Sequence, residues 1–397
     1  MKLGKALVAA GTFGGAIAQW VTVLIIARTL GAGEVGVYAE ALATATPLFV
    51  AGSLALRELF VSLSDRPAWA AFVRTRVLGL AASALCFAVV GLLLGWPREV
   101  LLALTLLKCA DSACDLVYGR LQLAEDWLAW GGLSVANSVL SVGGVLVVAV
   151  LGGGLGLMLA VSGGVSLACA AVALLRCRRS APLEASEPVS RRAVLLLARR
   201  GLPLSGAQLL SSVLFNAPVL VVSALGTSAE AGAFAAAAYL LTFGNLVGSA
   251  IANLEIVRIR GAFQAHGSAG LRAALWRPTV VLLVGGTVGV LLVGAWGSEV
   301  LAAVFGPAFA VSRAVLVGVA LAAVVGALGF VAAAGLLVMN RYVRQALVSA
   351  TAVIGAFGCA LVLHWAPNLA ATLAGAIVAL VGALLRTGLL AVSARRE

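Results

Sequence analysis

Lysine and arginine lie almost entirely on one side of the apolar segments of this chain, which restricts it to a membrane fold of defined orientation. The chain is 62% hydrophobic and only 11% charged. Runs of about 17–25 apolar residues are long enough to cross a bilayer as helices, and the sequence contains about twelve of them. The predicted spans lie near residues 6–27, 37–62, 75–95, 100–123, 128–151, 154–175, 202–225, 231–257, 278–298, 311–338, 343–363 and 368–392.

The connections between these spans alternate between basic and weakly charged ones. Lys2 and Lys5 precede the first span. The even-numbered connections carry Arg66, Arg74, Arg76, Arg120, Arg176, Arg178, Arg179, Arg191, Arg192, Arg199, Arg200, Arg258, Arg260, Arg272, Arg277, Arg341 and Arg344. The odd-numbered connections hold little beyond Arg28, Arg98 and Arg313. Because short loops rich in Lys and Arg stay in the cytoplasm, we predict an all-α polytopic membrane protein with both termini inside.

The same distribution explains the net charge of +12. In a soluble protein, so basic a chain would suggest nucleic-acid binding. Here the charge is spread over one membrane face, where it retains loops and attracts anionic lipids. We therefore expect membrane lipids as partners and no nucleic acid.

A long polar interruption divides the spans into two equal sets. We predict an N-terminal lobe of six helices over residues 1–175, a cytoplasmic linker over 176–200, and a C-terminal lobe of six helices over 201–397. Within the linker, residues 191–200 have basic ends around an apolar centre. This pattern fits either a short helix on the membrane surface or the juxtamembrane start of span seven.

The two predicted lobes share a motif at the same topological point. Leu30-Gly31 is followed by Glu34-Val-Gly36-Val-Tyr38-Ala39, and Leu225-Gly226 is followed by Glu230-Ala-Gly232-Ala-Phe234-Ala235. The second copy has one more residue between the Gly and the Glu. A six-span unit repeated in the same orientation predicts two lobes related by a pseudo-twofold axis along the membrane normal, with the substrate path between them.

Span four carries the strongest functional signal. Lys108, Asp111 and Asp115 lie within an arc of roughly 60° on a helix that turns 100° per residue, with Tyr118 and Gln122 close beside them. Each charge at mid-span costs about 2.5–3.5 kcal/mol, far more than a leucine returns, so this face must contact protein or water. Two interpretations stay open: a structural network in which Lys108 pairs with Asp111, or a lumen surface where Lys108 attracts an anion and an aspartate changes protonation.

Further candidates are polar or charged residues within or at the ends of other spans. Arg57 is read either as a snorkelling residue or as a substrate ligand. The candidate substrate-binding set is Lys108, Arg57, Arg28, Gln19, Asn216 and Asn245, and the candidate ion-coupling set is Asp111, Asp115 and Glu40. Helix packing is the alternative role for Gln19 and Asn216.

Other chemistries have no support in the sequence. The six cysteines form no Cys-x-x-Cys pair and the two histidines are far apart, so we predict neither a metal site nor a cofactor. A membrane-embedded glycosyltransferase would normally place catalytic carboxylates in a long outer loop, and the outer loops here are short. We therefore predict a transporter and not an enzyme.

Three patches resemble a known family. They are Ala27-Arg28-Thr-Leu-Gly31 leading to Glu34-Val-Gly36-Val-Tyr38-Ala39, then Val304-Phe305-Gly306-Pro307-Ala-Phe309, and the exit of span ten at Asn340-Arg341. Together they resemble the polysaccharide-transporter (Wzx-type) branch of the MATE/MOP flippase superfamily. The resemblance implies a MATE-like fold and no catalytic residues.

The same resemblance implies a cargo and a location. The cargo would be a polyprenyl-pyrophosphate-linked oligosaccharide, moved by alternating access from the inner to the outer leaflet of the cytoplasmic (inner) membrane for surface polysaccharide assembly. A polysaccharide polymerase would be a further partner. The alternative is an ion-coupled, MATE-like exporter of small amphiphilic or cationic molecules, for which Asp111 and Asp115 would supply the acidic pocket.

Overall fold

The computed structural model describes residues 2–63, 67–180, 190–339, 341–366 and 369–395, and all regular structure in these ranges is helical. The helices are α1 (Lys2–Thr29), α2 (Ala32–Ser53), α3 (Leu56–Ser62), α4 (Trp69–Leu93), α5 (Arg98–Leu123), α6 (Trp127–Val150), α7 (Leu155–Ser180), α8 (Arg191–Leu225), α9 (Ser228–Phe305), α10 (Arg313–Val338), α11 (Tyr342–His364) and α12 (Ala371–Arg395), with a 3-10 turn at Pro307–Phe309. The predicted all-α class is confirmed. Arg66 and Asn340, and residues 181–189 of the predicted linker, lie outside the described ranges.

Ten of the described helices are long and apolar enough to cross a membrane. One of them, α9, bends sharply at Gly267, whose backbone has φ 57° and ψ −140°. α5 does not meet the same criterion, because Lys108, Asp111 and Asp115 occupy its middle. Twelve spans, with both termini inside, stay a prediction.

The surface of the helices fits a lipid environment. Large apolar side chains stand exposed along them, including Leu93, Leu254, Val257 and Ile354. In water such a surface would aggregate, whereas helices in a bilayer satisfy their backbone groups internally and present apolar side chains to lipid. The chain is therefore a multi-pass membrane protein.

The chain forms two compact units. The first comprises residues 1–31 and 41–209, and the second comprises residues 32–40 and 210–397. Residues 191–200 are the first turns of the continuous helix α8, as the juxtamembrane interpretation of this stretch expects. The lobe boundaries at residues 175 and 201 stay a prediction.

Small residues allow close helix crossings in the first unit. A Cβ atom at Gly79 of α4 would overlap the carbonyl oxygen of Gly52 in α2, and one at Gly11 of α1 would overlap Ser134 of α6. Membrane helices gain little from apolar burial against one another, so such close backbone packing is a main source of their association.

In the second unit the repeated motif forms a reciprocal contact. A Cβ atom at Gly36 in α2 would overlap the carbonyl oxygen of Ser228 at the start of α9, and one at Gly232 in α9 would overlap the carbonyl oxygen of Ala32 at the start of α2. Gly36 and Gly232 occupy the same place in the two copies of the motif. Each copy therefore supplies the glycine that lets the other helix approach.

This contact predicts that a methyl group at either glycine destabilises the second unit. Gly36→Ala and Gly232→Ala should each lower the free energy of unfolding by about 1–3 kcal/mol, the usual cost of overpacking. Gly33→Ala is the matched control, since nothing lies within 4 Å of a Cβ at Gly33 on the same helix. Thermal unfolding of the purified protein in detergent measures all three, and a Gly36→Ala midpoint equal to that of Gly33→Ala would contradict the contact.

Candidate functional site

The two aspartates of α5 contact neighbouring helices of the first unit, although Asp111 is itself exposed. Asp115 receives hydrogen bonds from side chains of α3 and α4, and Asp111 receives one from α7. α5 packs against α7 and also contacts α3, α4 and α6. The two carboxylates predicted to avoid lipid are therefore bound to protein groups.

Asp115 accepts from two arginines at once. Arg57 Nη1 lies 3.1 Å from Asp115 Oδ1, and Arg76 Nη2 lies 3.2 Å from Asp115 Oδ2. The Arg76 side chain is only 4% exposed, while those of Arg57 and Asp115 are 26% and 38% exposed. One carboxylate thus faces two guanidinium groups, and this trio carries a net charge of +1.

Further polar groups complete the binding of both arginines. Arg57 Nη2 donates to Gln122 Oε1 at 3.3 Å, and Arg76 Nη1 donates to Ser112 Oγ at 2.7 Å. We call Arg57, Arg76, Ser112, Asp115 and Gln122 the Asp115 cluster. Three of its members lie on one face of α5, at positions 112, 115 and 122, which explains why a helix with so many polar residues is stable here. The ring of Trp130 also faces Arg57, with 4.8 Å between its centroid and Arg57 Cζ.

A break between α2 and α3 places Arg57. Leu54 and Ala55 both have positive φ, 52° and 47°, a left-handed conformation that is costly for residues with a Cβ. Ser205 of α8 lies beside the last carbonyl groups before the break, with Oγ 3.0 Å from Ala51 O and 3.3 Å from Val50 O. The same two carbonyl groups also accept from Leu54 N and Ser53 Oγ. The short helix α3 then begins at Leu56 and directs Arg57 to the α5 carboxylate.

The predicted Lys108–Asp111 ion pair does not form. Asp111 Oδ1 instead lies 3.0 Å from Ser166 Oγ on α7, and Ser166 Oγ is also 3.1 Å from Asn137 Oδ1 on α6. Lys108 is half-buried and makes no ion pair within 4 Å with any described residue. The structural interpretation of span four paired Lys108 with Asp111. Because that ion pair is not formed, the ammonium group of Lys108 is available to another partner.

The remaining predicted residues are not in the Asp115 cluster. Arg28 is exposed in the last turn of α1, and Gln19 is exposed in the middle of the same helix. Asn216 donates to the carbonyl of Ser212 in its own helix at 2.8 Å, and among the described residues it makes no hydrogen bond to another helix. Glu40 is half-buried in α2, and Asn245 lines a small cavity in the second unit. Of the predicted set, Arg57 and Asp115 are in direct contact.

Arg76 is the main residue whose position differs from the one that the sequence predicts. The sequence predicts it in a cytoplasmic connection with Arg74, but it lies inside α4, almost fully buried, and binds Asp115. Arg74, two residues earlier, is exposed on the same helix. The signal was the position of Arg76 inside the predicted span 75–95: in the structure it lies about two turns into α4, which begins at Trp69.

No protein-family model matches the chain, and no curated protein matches it. Solved structures do share its fold. A MATE-family multidrug transporter of the MOP superfamily in an outward-facing conformation is 16% identical, with a TM-score of 0.62 over 99% of this chain and 95% of that chain. A MATE transporter of Vibrio cholerae is 14% identical, with a TM-score of 0.60 over 100% and 98% of the two chains.

A lipid flippase has the same architecture. The lipid II flippase MurJ, in an inward closed conformation, is 12% identical with a TM-score of 0.66 over 96% of this chain and 86% of that chain. Identities this low show the fold alone. The chain therefore has the fold shared by MATE transporters and MurJ, as the sequence resemblance to the MATE/MOP superfamily predicted.

The double pairing of Asp115 predicts a stability difference between neighbouring charged residues. Asp115→Asn leaves two guanidinium groups without their carboxylate and should cost about 2–4 kcal/mol, less than a fully buried pair because Asp115 is 38% exposed. Arg74→Gln changes an exposed arginine and should stay within about 0.5 kcal/mol of the parent. Thermal unfolding in detergent compares them. Equal midpoints for the two variants would show that the carboxylate is not a structural link.

Proposed function

We propose that this protein is a membrane flippase that moves a polyprenyl-pyrophosphate-linked oligosaccharide from the inner to the outer leaflet of the cytoplasmic membrane by alternating access. The fold supports a transporter of this superfamily, because MATE exporters and the MurJ flippase both have it. The three sequence patches that resemble the polysaccharide-transporter branch support the cargo. The local charge around the Asp115 cluster is the observation that favours an anionic cargo over a cationic one.

That charge favours an anionic head group. Asp115 is engaged by both Arg57 and Arg76, so it offers little free negative charge to a cationic drug. Glu58, next to Arg57, is bonded by Gln208 Nε2 at 3.1 Å. Arg57, Arg76 and Lys108 set against Asp111 and Asp115 leave one positive charge in excess among these residues. A pyrophosphate satisfies such an excess, since guanidinium groups bind phosphate oxygens in a bidentate way.

The second candidate, an exporter of cationic or amphiphilic molecules, is favoured by one observation. Asp111 makes no ion pair with a described basic residue and is held only by the neutral hydroxyl of Ser166. A carboxylate in this setting can change protonation during transport. The same property would serve proton coupling in a flippase, so Asp111 alone does not favour the exporter.

Deletion of the gene distinguishes the two functions. If the protein is the proposed flippase, the deletion strain should lose surface polysaccharide and accumulate the lipid-linked oligosaccharide on the inner leaflet, while its susceptibility to cationic drugs stays unchanged. Polymer immunoblots, extraction of lipid-linked intermediates and drug-susceptibility assays measure these outcomes. Increased drug susceptibility with normal polysaccharide would identify the exporter instead.

The proposal also predicts which basic residues matter for transport. In the complemented strain, Lys108→Ala and Arg57→Ala should each lower polymer output by at least about tenfold, because each removes a charge-assisted contact worth about 1.5–3 kcal/mol. Arg74→Ala is the matched control, since Arg74 is exposed on α4. Protein levels are followed by immunoblot. Normal polymer output from Lys108→Ala and Arg57→Ala at normal protein levels would remove both residues from the substrate path.

A further inference from the structure

One buried arginine in the second unit has no acidic partner. Arg386 lies in α12 and is only 5% exposed. Among the residues that the structure describes, none forms an ion pair or hydrogen bond with it, and its Nε and Nη1 atoms are buried without a hydrogen-bond partner. This differs from Arg57 and Arg76, which share the carboxylate of Asp115.

Two aromatic rings lie beside the guanidinium group. Arg386 Cζ lies 5.4 Å from the centroid of Phe215 on α8 and 5.2 Å from that of Phe330 on α10, and the two rings are nearly parallel at 12°. Cation–π contacts of this kind are weak compared with the cost of removing a guanidinium ion from water. Arginine does not lose its proton in proteins, so the positive charge persists and needs compensation.

A small cavity lies beside this charge. Its volume is about 30 Å³, and its lining includes Arg386, Thr387, Asn245 and Phe215. A cavity of about 10–15 Å³ holds one water molecule, so the space fits about two water molecules or one anion of the size of chloride. A complete pyrophosphate is too large for it.

The polar groups around the cavity favour an anion over a cation. Arg386 offers N–H donors from Nε and Nη1, and the Asn245 amide can add another. The Thr387 hydroxyl already donates to the carbonyl of Val325 at 2.8 Å. Water alone would satisfy the donors but would leave the charge uncompensated. An anion satisfies both requirements.

We propose that α8, α9, α10 and α12 form a binding site for one small monovalent inorganic anion, of about the size of chloride, with Arg386 as its principal ligand and Asn245 as a second donor. The site shares no residue with the Asp115 cluster and does not depend on the identity of the transported molecule. Its occupant neutralises the Arg386 charge inside the helix bundle of the second unit.

The test measures thermal unfolding of the purified full chain in detergent while chloride replaces gluconate at constant ionic strength. A ligand that binds only the folded state raises the unfolding midpoint with the logarithm of its concentration. We expect chloride to raise the midpoint of the parent protein and of the exposed-arginine control Arg260→Gln. Arg386→Met should unfold at the same temperature in both salts. A parent protein indifferent to chloride, or an Arg386→Met variant that keeps the response, would overturn the proposal.

Two further measurements keep the test decisive if Arg386→Met does not fold. Asn245→Ala removes one donor and should raise the chloride concentration needed for half of the effect by about tenfold, whereas an unchanged concentration would exclude Asn245 as a ligand and overturn the site. Inorganic phosphate at equal ionic strength should stabilise less than chloride, because the cavity holds only a small ion. A larger effect of phosphate would overturn the assigned size.

Discussion

A single carboxylate joins three helices of the first unit. Asp115 on α5 binds Arg57 on α3 and Arg76 on α4, and without it two guanidinium groups would lie uncompensated among membrane helices. Charged side chains inside a bilayer are costly and almost always face protein or a polar cavity. Asp115 therefore links α3, α4 and α5 electrostatically, and a shared apolar core that includes Leu56, Phe72 and Leu116 packs the same helices together.

Much of this arrangement follows from local sequence rules. Connections that alternate between basic and weakly charged predict a polytopic helical protein. The spacing of Lys108, Asp111 and Asp115 predicts one polar face on α5 that avoids lipid. The partners of that face could not be predicted in the same way, because they come from other helices. Ser166, which bonds Asp111, is 55 residues away in sequence. Arg76 lies two residues after the exposed Arg74, and the sequence alone does not show that one of these arginines is buried and the other exposed.

In the internal repeat, too, the motif can be recognised in the sequence but its packing partners cannot. Leu-Gly followed by Glu-x-Gly is visible twice in the sequence, and it marks the connection from α1 to α2 and that from α8 to α9. The reciprocal packing of Gly36 against Ser228 and of Gly232 against Ala32 is a tertiary property. It also explains why each motif requires a glycine where an alanine would suit a helix better. Arg386 is the single charged residue of the predicted span 368–392, but its lack of an acidic partner among the described residues depends on the folding of four helices.

The bend at Leu54 and Ala55 connects the Asp115 cluster to the conformation of the backbone. Two consecutive left-handed residues cost about 1–3 kcal/mol each. Contacts on both sides of the bend offset this cost: Arg57 binds Asp115, and Ser205 Oγ lies beside the carbonyl groups of Val50 and Ala51. A phosphate group that competed with Asp115 for Arg57 would weaken the contact between α3 and α5. Binding at one side chain would then alter the backbone of the α2–α3 connection, where Leu54 and Ala55 hold the left-handed conformation.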